Sequence, residues 1–315
     1  MNEHTADTVG VDISKDFLDA NIHPSGAAKR FTNDAKGHRA LIAWLQGRQV
    51  RRVVFEATGA YHRSFERTLA AAGLPMAKVN PRQARRFAEA TGTLAKTDAI
   101  DAAMLARFGA LLTPQTRAPV SQTIDEMKEL HNARAALVKD RTATLNRQKQ
   151  MLSAILKRLA TQKLKQIERQ LKTIDAALAA LRDADAALKA RFDILMSIPG
   201  IGAATAFAML IEMPEIGTME NPQAASLAGL APVARESGNW RGKRSIRAGR
   251  AGFRQAIYMP ALVATRFNPD FKAKYQAMIA AGKPAKVAIT AIMRKLVVLA
   301  NALLKAGRCW VPKAA

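Results

Sequence analysis

The chain has 315 residues, of which 49 are lysine or arginine and 25 are acidic, so its formal net charge of +24 indicates a polyanionic partner such as a nucleic acid. A hydrophobic fraction of 49% excludes a disordered basic tail, and a single cysteine excludes an internal disulfide framework. No uninterrupted apolar run reaches the roughly 18 residues that a membrane helix needs, so we expect a folded cytoplasmic, nucleoid-associated protein with no membrane partner.

The first third of the chain alternates short β-branched runs with helical ones, which is typical of an α/β domain. The predicted strands are TVGVDIS, FLDANIH, KRF, RRVVFEA and MAKVN. The predicted helices are GHRALIAWL, about Tyr61 to Ala72, one starting at Pro81, and about Thr97 to Ala110. Two hairpin strands followed by alternating helices and strands predict a mixed sheet, antiparallel on one side and parallel on the other.

The middle of the chain is predicted to be helical. The segment LLTPQTRAPVS holds two prolines and marks a boundary, and an amphipathic helix is predicted from about Gln122 to Leu159. Apolar residues then recur at alternating spacings of three and four, the pattern of a coiled-coil seam, at Leu164, Ile167, Leu171, Ile174, Leu178, Leu181 and Leu188. An antiparallel hairpin, an intermolecular zipper and simple packing within one globule are all compatible with this spacing.

The last region starts near Arg191 and contains two apolar helical segments separated by PGIG. This pattern predicts a helix-hairpin-helix, in which Gly200 and Gly202 let a DNA phosphate approach the start of the second helix. An ordinary glycine-containing turn between packed helices is the alternative. The predicted domains are therefore residues 1–115 (α/β), residues 116–190 (a helical coiled-coil spacer) and residues 191–315 (α-rich).

Four acids of the first region are candidates for one site. Asp12 lies in VGVDIS on the face opposite Val9 and Val11, and Glu56 ends the run VVFE at a strand edge, where ligands bind in α/β sheets. Asp98 and Asp101 are three residues apart and share one helix face. Such a cluster is costly unless a divalent cation such as Mg²⁺ neutralises it. Taken singly, Asp98 could cap its helix and Asp101 could pair with an arginine.

These residues carry a resemblance to a known family. The order VGVDISKDFLDA, VVFEATGAYHRSFERTLAAAG and AKTDAIDAAMLARF resembles the DEDD site of the RuvC-like transposases of insertion-sequence family one-hundred-ten. IPGIGAATAFAMLIEM, followed by NPQAASLAGLAPVARESG and a basic glycine-rich stretch, is similar to the C-terminal transposase domain of that family. Where relatives often have Ser-Gly-Gly-Lys, this chain reads SGNWRGKRSIR.

The resemblance implies a fold, a reaction and partners. It implies an RNase H-like (RuvC-like) first domain and a transposase that excises and inserts an element through a circular intermediate. It implies that Asp12, Glu56, Asp98 and Asp101 bind Mg²⁺, with Mn²⁺ as a substitute, and that Ser237 is the nucleophile. It also implies donor and target DNA, a structured bridge RNA, and a homo-oligomer, a dimer or a tetramer, whose acidic and serine sites come from different subunits.

The surroundings of Ser237 suit phosphate chemistry on physical grounds. Gly238 follows it in a turn-rich loop, where a hydroxyl can be approached closely. Seven bases and the single acid Glu236 lie between residues 235 and 254, and these bases are Arg235, Arg241, Lys243, Arg244, Arg247, Arg250 and Arg254. They could hold a phosphate and stabilise its developing charge. Ser245 is a second candidate nucleophile in an equally basic setting, and Trp240 could stack on a base or pack.

Two other functions stay open at this point. A RuvC-type junction nuclease would hydrolyse DNA with the same four acids and would need no serine. A nonenzymatic nucleic-acid scaffold would bind without any cleavage. The region beyond residue 190 favours the transposase, because hydrolysis alone would not require it.

Overall fold

The computed structural model describes residues 6–56, 59, 61–93, 97–116 and 121–312. It divides into two compact units, Met1–Val120 and Ser121–Ala315. The first is a mixed α/β domain and the second is mainly helical, which confirms the predicted order of the two fold classes. The finer division into three domains stays a prediction.

The first unit contains a five-stranded mixed sheet. Its strands are β1 (Asp7–Ile13), β2 (Phe17–His23), β3 (Ala28–Thr32), β4 (Val50–Glu56) and β5 (Met76–Val79). They lie in the order β3-β2-β1-β4-β5. The β1–β2 and β2–β3 pairs are antiparallel, whereas the β1–β4 and β4–β5 pairs are parallel. The sheet predicted from the order of elements is confirmed.

Helices cover both faces of this sheet, namely α1 (Ala35–Leu45), α2 (His62–Ala71), α3 (Pro81–Ala90) and α4 (Asp98–Leu112). Val9 and Val11 of β1 belong to one buried cluster together with Leu41 of α1 and Phe65 of α2. A second cluster joins apolar residues of strands β4 and β5 to residues of helices α3 and α4. Because successive strand residues point to opposite faces, the even-numbered residues of β1 face α4.

Gly10 allows this close packing of β1 and α4. A Cβ atom at Gly10 would overlap the backbone of Ala102 and Ala106 in α4. The helix therefore runs directly over the strand that carries Asp12. It begins at Asp98, because Thr97 caps it by accepting a hydrogen bond from the N–H of Ile100 at 3.4 Å.

The second unit begins with two long helices, α5 (Gln122–Lys149) and α6 (Ala154–Asp183). The two helices run antiparallel to each other. Residues of rising number in α5 contact residues of falling number in α6. These contacts are Arg134–Asp175 at 2.6 Å, Arg141–Glu168 at 3.5 Å and Gln148–Thr161 at 2.9 Å. The seam residue Ile167 is buried, whereas its helical neighbours Glu168 and Arg169 are exposed.

Two predicted helix boundaries here are wrong. The helix predicted to continue to Leu159 ends at Lys149, and Leu188, predicted as part of the seam, lies in the next helix, α7 (Ala186–Met196). Neither break contains proline or glycine, so local signals are weak. Ser153 and Asp185 precede the new helices, and only Asp185 accepts capping hydrogen bonds, from the N–H groups of Ala187 and Leu188.

The remaining helices are α8 (Ala203–Glu212), α9 (Asn221–Leu227), α10 (Ala251–Phe267), α11 (Pro269–Ala280) and α12 (Ala285–Lys305). One large apolar core joins α7, α8, α10 and α12, and it also includes Met127 of α5 and Leu178 of α6. Among the described residues α12 is the one helix long and apolar enough to cross a membrane by those two criteria. Leu296 and Val297 in α12 are nevertheless fully buried in this core.

A β-hairpin arm that the sequence did not predict lies between α9 and α10. Its short strands are β6 (Pro232–Val233), β7 (Glu236–Ser237), β8 (Trp240–Arg241) and β9 (Ser245–Ile246). The outer pair β6–β9 and the inner pair β7–β8 are both antiparallel. We call residues 232–246 the arm. Nearly all of its residues are exposed, so it projects from the helical core.

Candidate active site

Asp12 and Glu56 lie on neighbouring strands and on the same face of the sheet. The parallel register pairs Val11 with Phe55, so Asp12 and Glu56 follow next to each other on β1 and β4. Val11 and Phe55 both face the cluster of α1 and α2. The alternation of strand side chains therefore turns both carboxylates toward the face that α4 covers.

The first turn of α4 brings two more carboxylates to this face. Asp98 and Asp101 are both in that turn. Burial, together with the negative charges of Asp101 and Asp98, raises the pKa of Asp12 to about 6. Three of the four predicted acids are therefore electrostatically coupled in one cluster, which we call the acid cluster, and Glu56 lies on the same face beside it. The cap of α4 is Thr97, so Asp98 does not have the capping role that was its alternative.

A basic residue also belongs to this face, and the sequence interpretation missed it. In the sheet register, Asp12 pairs with Asp19, and Asp19 pairs with Arg30. Arg30 donates two hydrogen bonds to the carboxylate of Asp19, at 2.8 and 2.9 Å, and a third to Asp98 at 3.1 Å. Asp19 is 8% exposed, so a nearly buried carboxylate fixes this guanidinium beside the acid cluster.

A signal for this pair is present in the sequence. FLDANIH places Asp19 between Leu18 and Ala20, and KRF places Arg30 next to Phe31. Both are charged residues at positions where strand alternation predicts the same face as Asp12. Because charged side chains are rarely buried unless they are paired, the positions could have been matched once the register of β1, β2 and β3 was known.

The donor set of the acid cluster is made of carboxylate oxygens, which are the ligands that Mg²⁺ and Mn²⁺ prefer. The pKa of Asp12 is raised first by burial and then by the like charges of Asp101 and Asp98, and a divalent cation would neutralise these charges. In the described part of the chain no three histidine, cysteine or acidic side chains are arranged so that they could hold an ion. In this arrangement the carboxylate of Asp98 is paired with Arg30.

Ser237 lies at the tip of the arm, in the second unit. It pairs with Trp240 across the two-residue turn Gly238–Asn239. Gly238 has a φ of +55°, a conformation that glycine adopts readily at the first position of a type II′ turn. Ser237 is exposed. Trp240 is 60% exposed and its ring covers Gly242, where a Cβ atom would overlap it.

Two of the seven basic residues predicted to bind phosphate form contacts within the protein, at the point where the arm joins the helical core. Arg250 forms a fork on Glu215, at 2.7 and 2.8 Å, and also donates to the carbonyl oxygen of Glu212. Arg254 donates to the carbonyl oxygen of Ala248, a non-glycine residue with a φ of +56°. These contacts give both arginines a structural role where the arm joins α10.

The other five predicted bases of this region are exposed, namely Arg235, Arg241, Lys243, Arg244 and Arg247. Arg244 lies 4.0 Å from Glu236, with 69% and 47% of the two side chains exposed. Such a pair is weak and is easily exchanged for a phosphate. The arm, with Arg247 directly after it, therefore presents exposed bases on both sides of Ser237 and Ser245 in the chain.

The PGIG turn joins α7 to α8. Gly200 has a φ of +102°, and a Cβ atom there would lie 2.9 Å from the carbonyl oxygen of Pro260 in α10. Its conformation and its packing both require glycine. Gly202 is the N-cap of α8, and space around it is open. The first N–H groups of α8 are thus accessible, and phosphate binding there stays a prediction.

Comparison with known proteins assigns the family. A transposase model, DEDD_Tnp_IS110, matches residues 9–157, and the model of the transposase IS116/IS110/IS902 family matches residues 192–276. The pilin gene-inverting proteins of Moraxella lacunata and Moraxella bovis are each 29% identical over 315 residues, covering 95% of this chain and 96% of theirs. The insertion element IS110 uncharacterized 43.6 kDa protein of Streptomyces coelicolor is 30% identical over 117 residues, or 36% of this chain and 29% of that protein.

The two models match both the unit that contains the acid cluster and the region that contains the arm. The Moraxella relatives extend the similarity over almost the whole chain. The chain therefore belongs to the IS110 family of transposases and is an enzyme of DNA recombination.

Proposed function

We propose that this protein cuts and rejoins DNA strands to excise and insert a mobile element, with Ser237 as nucleophile and the acid cluster as metal site. The observation that carries the proposal is the convergence of Asp12, Asp98 and Asp101, beside Glu56, on one face of the sheet. The strand order β3-β2-β1-β4-β5, with its antiparallel and parallel halves, supports an RNase H-like assignment of the first unit.

Asp12, Glu56, Asp98 and Asp101 would hold Mg²⁺, or Mn²⁺ in its place. A bound ion would stabilise the charge that develops on the phosphate oxygens and on the leaving oxygen. The chain itself contributes the placement of these ligands. β1 and β4 fix Asp12 and Glu56, and α4, which Gly10 allows to pack closely, fixes Asp98 and Asp101.

Ser237 would attack a DNA phosphodiester. Its Oγ forms a new bond to phosphorus, its proton leaves to a nearby base or to water, and the bond from phosphorus to one deoxyribose oxygen breaks. The product is a phosphoserine ester and a free DNA hydroxyl. A hydroxyl of a second strand then attacks the ester, which rejoins DNA and restores Ser237. The exposed bases of the arm would hold the phosphate during both steps.

Guidance by a bridge RNA and assembly as a dimer or tetramer are part of the proposal, on the strength of the resemblance to the family. A net charge of +24 supports simultaneous binding of DNA and RNA. The helix-hairpin-helix with Gly200 and Gly202 would add a phosphate contact, and we place the protein in the cytoplasm, at the nucleoid. The names of the two Moraxella relatives point to inversion as a further product of the same cutting and rejoining.

The test is to incubate the protein, its element-encoded RNA and labelled donor-end DNA with Mg²⁺, followed by denaturing electrophoresis and mass mapping. We expect a covalent protein–DNA adduct at Ser237 that Ser237→Ala eliminates. Cleavage without an adduct, unchanged in Ser237→Ala, would instead identify a RuvC-type nuclease.

Ser245→Ala is the matched control. Ser245 is exposed in the same arm and is surrounded by the same bases, so its loss should leave the adduct and the product yield unchanged. An adduct that maps to Ser245 would overturn the assignment of Ser237.

A further inference from the structure

The hairpin of α5 and α6 has a strongly uneven charge. Its root, residues 122–138 and 173–185, contains three bases and six acids. Its outer part, residues 139–172, contains ten bases and only two acids, Asp140 and Glu168. A structural spacer does not require this separation of charge along one hairpin. The separation places a positive surface on the part of the hairpin that is distant from the apolar core.

Four of these bases form a stripe on one side of α6, namely Arg158, Lys165, Arg169 and Lys172. Their spacings of seven, four and three residues correspond to successive turns of one helix face. The seam residues Ala160 and Ile167 are buried, whereas all four members of the stripe are exposed. At 1.5 Å per residue the stripe extends over about 21 Å, which is roughly the rise of six base pairs.

The stripe lacks carboxylate partners. Within the described residues no ion pair involves any of its four side chains, and the nearby Glu168 pairs with Arg141 of α5 instead. The positive potential of the stripe is therefore not neutralised by the chain itself. A bound polyanion would meet four unpaired cations on one rigid rod.

We propose that this stripe binds the phosphate backbone of duplex DNA, at a site separate from the acid cluster and from the arm. Single-stranded nucleic acids are bound with aromatic side chains that stack on bases, and residues 122–185 contain no phenylalanine, tyrosine or tryptophan. A straight helix with cations along one face fits the regular backbone of a duplex, and DNA is the substrate of this family. Binding would be independent of base sequence.

The test is fluorescence anisotropy of a duplex of about 30 base pairs with the full chain, without Mg²⁺ and across a range of salt concentrations. The variant changes Arg158, Lys165, Arg169 and Lys172 to Ala, and alanine keeps the helical propensity. We expect affinity at least tenfold weaker at about 0.1 M salt, with a salt slope shallower by about 3.6, since each of the four phosphate contacts contributes about 0.9.

A charge-matched control changes Lys272, Lys274, Lys283 and Lys286 to Ala. These four lysines are exposed on α11, on α12 and between them, so both variants carry a net charge of +20 (24 − 4). The decrease in affinity of the control variant, measured on a logarithmic scale, should be less than half of the decrease in the stripe variant. Equal losses would overturn the proposal, and a loss confined to duplex RNA or to anionic vesicles would reassign the stripe to that partner.

A second measurement uses the unmodified protein. Bound DNA should protect Lys165 and Lys172 from acetylation, measured by mass spectrometry, and should leave Lys283 reactive. Equal reactivity of the stripe lysines with and without DNA contradicts the proposal. Because both measurements follow binding and not cleavage, neither depends on the roles proposed for Ser237 and the acids.

Discussion

The guanidinium of Arg30 lies 3.1 Å from the carboxylate of Asp98 while it forms a two-bonded fork on Asp19. One arginine thereby joins β2 and β3 to the first turn of α4. The fork fixes the guanidinium plane, which is a geometry that lysine cannot reproduce. Arg30 thus places a positive charge of the chain itself where the proposed metal ion would act on Asp98.

Arg30→Gln should separate metal binding from catalysis. Removing the cation should tighten Mn²⁺ binding by about threefold and no more, because the ion pair that competes for Asp98 joins side chains that are 52% and 56% exposed and is therefore weak. Cleavage should nevertheless slow, because Asp98 loses the group that orients it. Calorimetric Mn²⁺ titration and a cleavage assay measure the two effects. Weaker Mn²⁺ binding in Arg30→Gln would refute the competition between Arg30 and the metal ion.

Asp98→Ala, in contrast, should abolish cleavage and leave DNA binding intact.

Asp12→Asn should stabilise the metal-free protein at neutral pH. The pKa of Asp12 is raised from 3.8 to about 6, so the folded state holds a proton there more tightly than the unfolded state. The stability that this gives is fully present below pH 3.8 and is lost as pH rises through about 6. At pH 7.5 the variant should gain about 1–2 kcal/mol, after a reduction for solvent screening.

Thermal unfolding of metal-free Asp12→Asn and of the parent protein at pH 7.5 and at pH 4.5 measures this effect. The difference between the two proteins should shrink at the lower pH. Added Mg²⁺ should stabilise the parent protein and not the variant. A constant difference at both pH values would show that Asp12 does not titrate with a raised pKa.

Gly10→Ala should destabilise the first unit. The added methyl group would overlap the backbone of Ala102 and Ala106, and backbone cannot move aside as a side chain can. Overpacking of this kind costs about 1–3 kcal/mol, and displacement of α4 should also lower cleavage. Gly252→Ala in α10 is the control, because its Cβ meets only the side chain of Glu212, at 3.7 Å. Equal denaturation midpoints for the two variants would contradict close packing at Gly10.

Arg244→Ala and Arg250→Ala should have different effects although both remove one positive charge from the same region. Arg244 is exposed, so its loss should weaken DNA binding and flatten the salt slope by about one contact, without changing stability. Arg250 holds Glu215 and the end of α8, so its loss should lower the melting temperature. Salt-dependent binding and thermal unfolding distinguish them. Identical melting temperatures for the two variants would mean that the contacts of Arg250 do not stabilise the junction of the arm with α10.

The sequence alone determined the order of elements in the first unit and the face on which Asp12 lies, because strand alternation and apolar periodicity are local properties. It also predicted Glu56, Asp98 and Asp101 as partners, from a strand edge, from a shared helix face and from the family resemblance. Helix ends at Lys149 and Asp183 were missed, because the chain turns there without proline or glycine and packing of the seam decides where α6 begins.

Only the tertiary structure assigned the charged residues to their partners. Sequence gave no reason to separate Arg250 from Arg244, since both lie in one basic stretch, yet one is held by Glu215 and the other is exposed. It gave no reason to join Arg30 to Asp98, which are 68 positions apart. Charge and periodicity determine which residues can ionise and which face they occupy, whereas the partner of each charge depends on the register of strands and the docking of helices.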